Sequence, residues 1–117
     1  MHEYPAVEQI VKIALKTAEE HQALGVLKVG IAIGELSGFA EESLTFYYDI
    51  LKKDHPKLQN SELIVRYIKP VLRCALCGSE YERDGRSYTC PKCGGKSAPT
   101  KTGTEFYIEN IEIENEE

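Results

Sequence analysis

Two C-x-x-C-G stretches, "CALCG" ending at Gly78 and "CPKCG" ending at Gly94, constrain this chain more than any other feature. Each puts two sulfurs on one short turn, Cys74 with Cys77 and Cys90 with Cys93, and the glycine that follows relaxes the tight backbone. Four thiolates presented in this way suit a single tetrahedral cation. The amino terminus lacks the basic segment and apolar core of an export signal, so reduced or metal-bound thiols are expected rather than disulfides.

Between the pairs, "EYERDGRSY" reads as a hairpin turning at Asp84-Gly85, which would bring the pairs together and set Tyr81 against Tyr88. The segment resembles a zinc ribbon, with structural zinc expected over rubredoxin-type iron. A closed four-thiolate site has no open position for substrate and serves to fold its own module, so no catalysis is assigned to it.

Residues 70–101 carry six Lys or Arg against three Asp or Glu, whereas the rest carries eight against sixteen, so +3 and -8 make up the formal charge of -5. Four thiolates on one dication take the cysteine segment down to about +1. Phosphate binding draws on clustered Lys and Arg, so no nucleic-acid partner is expected. The apolar runs fall well short of the roughly 20 residues of a membrane helix. A composition of 42% hydrophobic and 28% charged residues suits a soluble globular chain, expected in the cytoplasm and not at a membrane.

From Pro5 to Leu24, Val7, Ile10, Val11, Ala14, Leu15 and Ala18 mark one face of a helix opened by Pro5 and stopped at Gly25. "VLKVGIAIGE" places Leu27, Val29, Ile31 and Ile33 on alternate positions of a strand. "LTFYYDILKKDHP" is a second helix with Leu44, Tyr47, Tyr48 and Leu51 inward, ended by Pro56, and "ELIVRYIK" a second strand. In "TEFYIENIEIE" the apolar alternation slips between Ile108 and Ile111, which suggests a bulge near Asn110. The predicted fold class is α+β (α/β-like): a three-stranded mixed sheet with two helices on one face plus an inserted zinc-ribbon module. The expected division is an α/β domain over 1–69 and 102–117 and a ribbon over 70–101.

Methionine aminopeptidases remove methionine only before small residues, so Met1 is expected to remain, with a free amine one residue ahead of the His2 imidazole. The amine, a deprotonated His2 backbone nitrogen and the imidazole can occupy three corners of a square, with Glu3 the nearest candidate for the fourth. That donor set suits Ni(II) or Cu(II) rather than zinc. Against it stand the usual fate of terminal residues, which is to be merely solvated, and the positive end of the helix that follows.

"MHEYPAVEQIV", "GIAIGELSGFAEESLTFYYDIL" and "CALCG" with "CPKCGG", in that order over nearly the whole chain, resemble the HypA family, nickel metallochaperones of nickel–iron hydrogenase maturation. The resemblance implies a nickel site at Met1, His2 and Glu3, with His2 the essential ligand, and a structural zinc at Cys74, Cys77, Cys90 and Cys93. It implies no catalytic activity, but delivery of Ni(II) to the hydrogenase large-subunit precursor together with the GTPase HypB, and in some members service to urease maturation. A monomer or homodimer is expected. Some relatives place an acid just after the middle strand; here that position is Ala40, with Glu41 and Glu42 displaced, and neither is assigned to the site.

His21 at a helix end and His55 before Pro56 read as structural. No nucleophile elbow, paired His-Glu-x-x-His or phosphate loop is present, so an enzyme is not indicated. The alternative reading is a zinc-ribbon module that binds nucleic acid or protein and has a passive amino terminus. A rubredoxin-like carrier would instead show iron-thiolate absorption.

Overall fold

A computed structural model of the chain describes residues 3–115; Met1, His2, Glu116 and Glu117 lie outside the described residues. Val7, Ile10, Val11, Ala14 and Ala18 are all buried along one face of α1 (Glu3–Glu20), which packs against α2 (Glu41–Leu51). Pro5 stands in the first turn of α1 but does not open it. Its missing N–H costs nothing there, because N–H groups of the first turn have no acceptor within the helix.

The helix also stops earlier than Gly25. Gln22 takes a left-handed conformation with φ of 51°, Ala23 N–H donates to Ala18 O at 2.8 Å and Gln22 N–H to Glu19 O at 3.1 Å. These are the paired bonds of a Schellman motif. A His21 ring nitrogen lies 2.9 Å from Thr17 O, the carbonyl that also accepts from the His21 backbone N–H at 3.2 Å. Gly25 opens β1 (Gly25–Gly34) instead. An L side chain in the left-handed region is strained, so Gln22→Gly is expected to stabilise the chain by about 0.5–1 kcal/mol, read as a higher urea midpoint at unchanged m-value.

The α2 helix begins at Glu41 rather than Leu44. Its N-cap, Ala40, offers no side-chain bond, and Glu41 and Glu42 place negative charge on the positive end instead. Leu44 and Tyr48 are buried and Tyr47 half-buried, as expected, with the Tyr47 ring edge-on to Tyr4 at 5.4 Å. Two 3-10 turns follow, Lys52–Asp54 and Pro56–Leu58, and Pro56 starts the second rather than ending the helix. His55 between them is half-buried. Burial raises the Tyr48 pKa above its ordinary value, and its hydroxyl is satisfied by Ser61 Oγ at 2.6 Å, which in turn bonds Leu58 O.

β1 is the middle strand, in the order β2-β1-β6, between β2 (Glu62–Ile68) and β6 (Phe106–Glu114). Leu24 N–H reaches Glu114 O and Gly34 N–H reaches Glu105 O, so β1 and β6 run antiparallel. Glu35 N–H reaches Ile68 O at the matching end of β2, so β1 and β2 run parallel and the sheet is mixed, as predicted. Leu27 is not inward: Val26 is buried while Leu27 and Lys28 are both exposed, and of the predicted inward set Val29, Ile31 and Ile33 are buried. Beyond that point every residue is buried, because a central strand with Gly30, Ala32 and Gly34 on its second face is covered by its neighbours. In β6, Glu109 and Asn110 are both exposed, matching the slip read from the sequence within a continuous strand. Arg66 of β2 donates from Nε to both Glu109 carboxylate oxygens, at 3.0 and 3.1 Å, and from a terminal nitrogen to Oε1 at 2.5 Å, and its guanidinium holds that carboxyl below the usual range.

The chain divides into two compact units, one holding the described residues of Met1–Ala32, Phe39–Arg66 and Tyr107–Glu117, the other Ile33–Gly38 and Tyr67–Phe106. Within the second, Leu36 N–H donates to Gly103 O at 2.7 Å, and a Cβ on Gly34 would stand 2.0 Å from the Gly103 carbonyl carbon. Backbone cannot yield as a side chain can. Gly34→Ala is therefore expected to cost at least about 3 kcal/mol, measured by chemical denaturation.

Candidate metal centre

The cysteine-bearing unit is built on β3 (Val71–Cys74), β4 (Glu80–Glu82) and β5 (Ser97–Pro99), antiparallel in the order β4-β3-β5. Leu72 pairs with Tyr81 on one side and Pro99 on the other. The expected hairpin around Asp84-Gly85 does not form. β4 turns back on β3, and Tyr88–Cys90 pairs with Gly95–Ser97 through a Thr89–Lys96 bridge. Each C-x-x-C-G stretch is thus itself the turn of a hairpin. Each knuckle closes six residues between its paired positions, Arg73 with Glu80 and Thr89 with Lys96, no more than Tyr81 facing Tyr88 would close, and its own N–H groups are satisfied within the turn, at Cys74 O, Cys90 O and the first sulfurs.

The two knuckles share three hydrogen bonds of the same kind. Gly78 N–H donates to Cys74 O at 3.0 Å and Gly94 N–H to Cys90 O at 2.9 Å; Cys74 N–H reaches Ser79 O and Cys90 N–H reaches Gly95 O. Leu76 N–H and Lys92 N–H each point at the first sulfur of their own knuckle, Cys74 Sγ and Cys90 Sγ, at 3.4 Å. Gly78 and Gly94 adopt φ of 75° and 76°, the left-handed conformation that makes this turn possible and that a Cβ would strain. Tyr81 and Tyr88 do not meet: Tyr81 donates its hydroxyl to Ser97 Oγ at 2.7 Å, and the Tyr88 hydroxyl accepts from Arg83 at 2.9 Å.

The result is a cluster of Cys74, Cys77, Cys90 and Cys93 whose sulfurs all lie within 4.8 Å of one another, with Cys74 and Cys90 buried and Cys77 and Cys93 exposed. Cys74 Sγ and Cys93 Sγ are 3.4 Å apart, Cys77 Sγ and Cys90 Sγ 3.7 Å, and none of the four is in a disulfide. Ligands about 2.3 Å from a tetrahedral zinc stand about 3.8 Å apart, so these sulfurs are spaced for one ion.

Their acidities point the same way. Hydrogen bonding with the Ser79 side chain, 3.3 Å from Cys77 Sγ, and with the Ser79 backbone lowers the Cys77 thiol to about 6. Cys93 is favoured as a thiolate by the Gly95 amide, yet the neighbouring sulfurs, Cys74 foremost, and burial push it up to about 12. Four sulfurs in contact cannot all ionise together unless a cation offsets their repulsion, and a coordinating metal supplies that offset. Ser79 was not singled out in the sequence; its place directly after Gly78 was the available signal. A groove of about 920 Å³ runs beside the first knuckle, lined by Arg73, Leu76, Glu80, Pro99 and Lys101, with Leu76 78% exposed.

At the other expected site only Glu3 is described. It opens α1, is half-buried, and puts a carboxylate in the first turn; Met1 and His2 lie outside the described residues. Among the described residues the four cysteines are the one cluster of His, Cys, Asp and Glu side chains placed to hold a metal ion.

A family model described as hydrogenase/urease nickel incorporation, metallochaperone, matches residues 1–113. The chain belongs to the HypA family. Its relatives include the hydrogenase maturation factor HypA of Caldanaerobacter subterraneus subsp. tengcongensis, 37% identical over 97% of this chain and 100% of the relative. That of Dehalococcoides mccartyi is 34% identical over 99% and 97%. The solution structure of the nickel metallochaperone HypA from Helicobacter pylori has the same fold, with a TM-score of 0.67 at 23% identity over 99% of this chain and 100% of that one. A second HypA solution structure gives 0.71 at 22% identity, over 99% and 98%. HypA proteins are nickel-incorporating metallochaperones, and the two-knuckle cysteine cluster fits a zinc site within that fold. No helix among the described residues is long and apolar enough to cross a membrane.

Proposed function

We propose that this chain binds Ni(II) through the Met1 amine and His2, with Glu3 as a further ligand, and delivers it to the large-subunit precursor of a nickel–iron hydrogenase. The observation that carries this reading is the HypA match, which begins at residue 1 and so includes the Met1-His2-Glu3 start. The nickel-bearing part is the α/β domain over 1–69 and 102–117. The ribbon over 70–101 holds Zn(II) on Cys74, Cys77, Cys90 and Cys93, and its role is structural, since four thiolates leave no open position. The GTPase HypB is the working partner, and urease maturation proteins are a second destination. The protein acts in the cytoplasm, as a monomer or homodimer, without catalysis of its own and without nucleic acid.

Metal analysis of untagged protein tests this reading directly. One zinc per chain as isolated is expected, together with nickel taken up on titration and passed to the apo large subunit. Isolated protein that takes up no nickel at neutral pH overturns it. The pH dependence has a definite sign. An amine of pKa about 7.7–8.0 and an imidazole of about 6.5 must both lose protons to bind, so nickel affinity should fall steadily from neutral pH toward about 6. Isothermal titration at three pH values reads the slope.

A further inference from the structure

Arg83 is an unusual residue in the ribbon unit. Its side chain is only 10% exposed, yet it lies just before a solvent-facing Asp84-Gly85 turn. One terminal nitrogen donates to the Tyr88 hydroxyl at 2.9 Å, with the guanidinium carbon 5.4 Å from the Tyr88 ring centre. The other donates to Glu35 Oε1 at 3.2 Å. Its Nε is buried with no partner. A side chain that leaves one donor unmade is held by what its other two make. Glu35 belongs to the segment 33–38, whose backbone is already fastened at Ile68, Gly103 and Glu105.

The two knuckles are not equally supported. The hairpin around Cys74 and Cys77 has three paired positions between β3 and β4, and the β3–β5 pairing anchors the exit of the second knuckle but not its entry. The strand that leads into Cys90 has one bridge, Thr89–Lys96, flanked by the Ser97-to-Tyr88 and Cys90-to-Gly95 backbone bonds. Tyr88 lies two residues before Cys90. We infer that Arg83 is a positioning residue for the second knuckle: it clamps Tyr88 to the fastened Glu35 and so holds Cys90 and Cys93 in place to retain the metal. This rests on the reading of the four cysteines as metal ligands.

The clamp is tested on the full-length, zinc-loaded protein by pulsed alkylation with N-ethylmaleimide, resolving each cysteine by mass spectrometry, alongside zinc release to a colorimetric chelator. Arg83→Met keeps the apolar stem and removes the clamp. Cys90 and Cys93 are expected to alkylate about tenfold faster than in the unsubstituted chain, with Cys74 and Cys77 changed far less, and zinc to leave faster. Tyr88→Phe removes only the hydroxyl and should shift the same two cysteines by a smaller factor, which keeps the inference testable if Arg83→Met does not fold. Equal acceleration of all four cysteines would show mere destabilisation and overturn the inference, as would no change in the ratio between knuckles. An unsubstituted chain that carries no zinc overturns the metal reading instead, and the knuckle ratio, measured on that metal-free protein, still decides the clamp.

Discussion

His2→Ala is expected to abolish stoichiometric Ni(II) uptake while leaving zinc content and fold unchanged. The imidazole closes the second chelate ring at the amino terminus, and without it the amine and one backbone nitrogen make only a single ring. Loss of outer-sphere partners alone typically costs 10–100-fold in metal affinity, so loss of a ligand should cost about a hundredfold or more. Acetylation of the Met1 amine should produce a comparable loss without altering any side chain. The pair of experiments separates two models: a terminal chelate loses nickel in both, whereas a site built from side chains deeper in the chain loses it in neither. Equal nickel stoichiometry and affinity in His2→Ala would remove the amino terminus from the mechanism.

Stripping the metal from the four cysteines is expected to have the second large effect. The apparent free energy of structural zinc in small four-ligand modules is about 10–16 kcal/mol near neutral pH, more than the whole stability of a typical domain. The ribbon has little else to hold it: its strands are three or four residues long and its buried side chains include Leu72, Pro70 and two of the ligands themselves, Cys74 and Cys90. Chelation, or Cys77→Ser, should therefore erase hydrogen-exchange protection from Val71 to Pro99. The amides of α1, whose buried face of Val7, Ile10, Val11, Ala14 and Ala18 owes nothing to the metal, should stay protected. Protection that persists across the ribbon after complete zinc removal would contradict the structural role.

What could be read ahead of the structure was what depends on near neighbours. The C-x-x-C-G knuckles, the α1 face and the β6 slip at Glu109 and Asn110 all follow from spacings of a few residues, and all are seen. The structure departs from those spacings where backbone hydrogen bonding or a distant partner outweighs them. Leu27 is displaced from the core because β1 changes parity between Val26 and Val29. The spacing puts the end of α1 at Gly25, yet a hydrogen-bond pattern lets Gln22 take the left-handed position. The Asp84-Gly85 turn suggested a hairpin, but β4 had a better partner behind it in β3. Arg83 and Glu35 are 48 residues apart, and nothing in the charge-rich "YERDGRSY" distinguishes the buried arginine from Arg86, which is exposed.

The membership of residues 33–38 in the ribbon unit bears on how such a protein can be rebuilt or recombined. The polypeptide crosses between units four times, after Ala32, Gly38, Arg66 and Phe106. A ribbon that looks in the sequence like a cassette spliced between two strands is therefore not a transferable cassette. Grafting residues 67–106 into another protein leaves behind Gly34, Glu35 and Leu36, and with them the surface that Gly103 and Arg83 require. Chimeras between HypA proteins should tolerate an exchange of ribbons only when the short stretch after β1 travels with them.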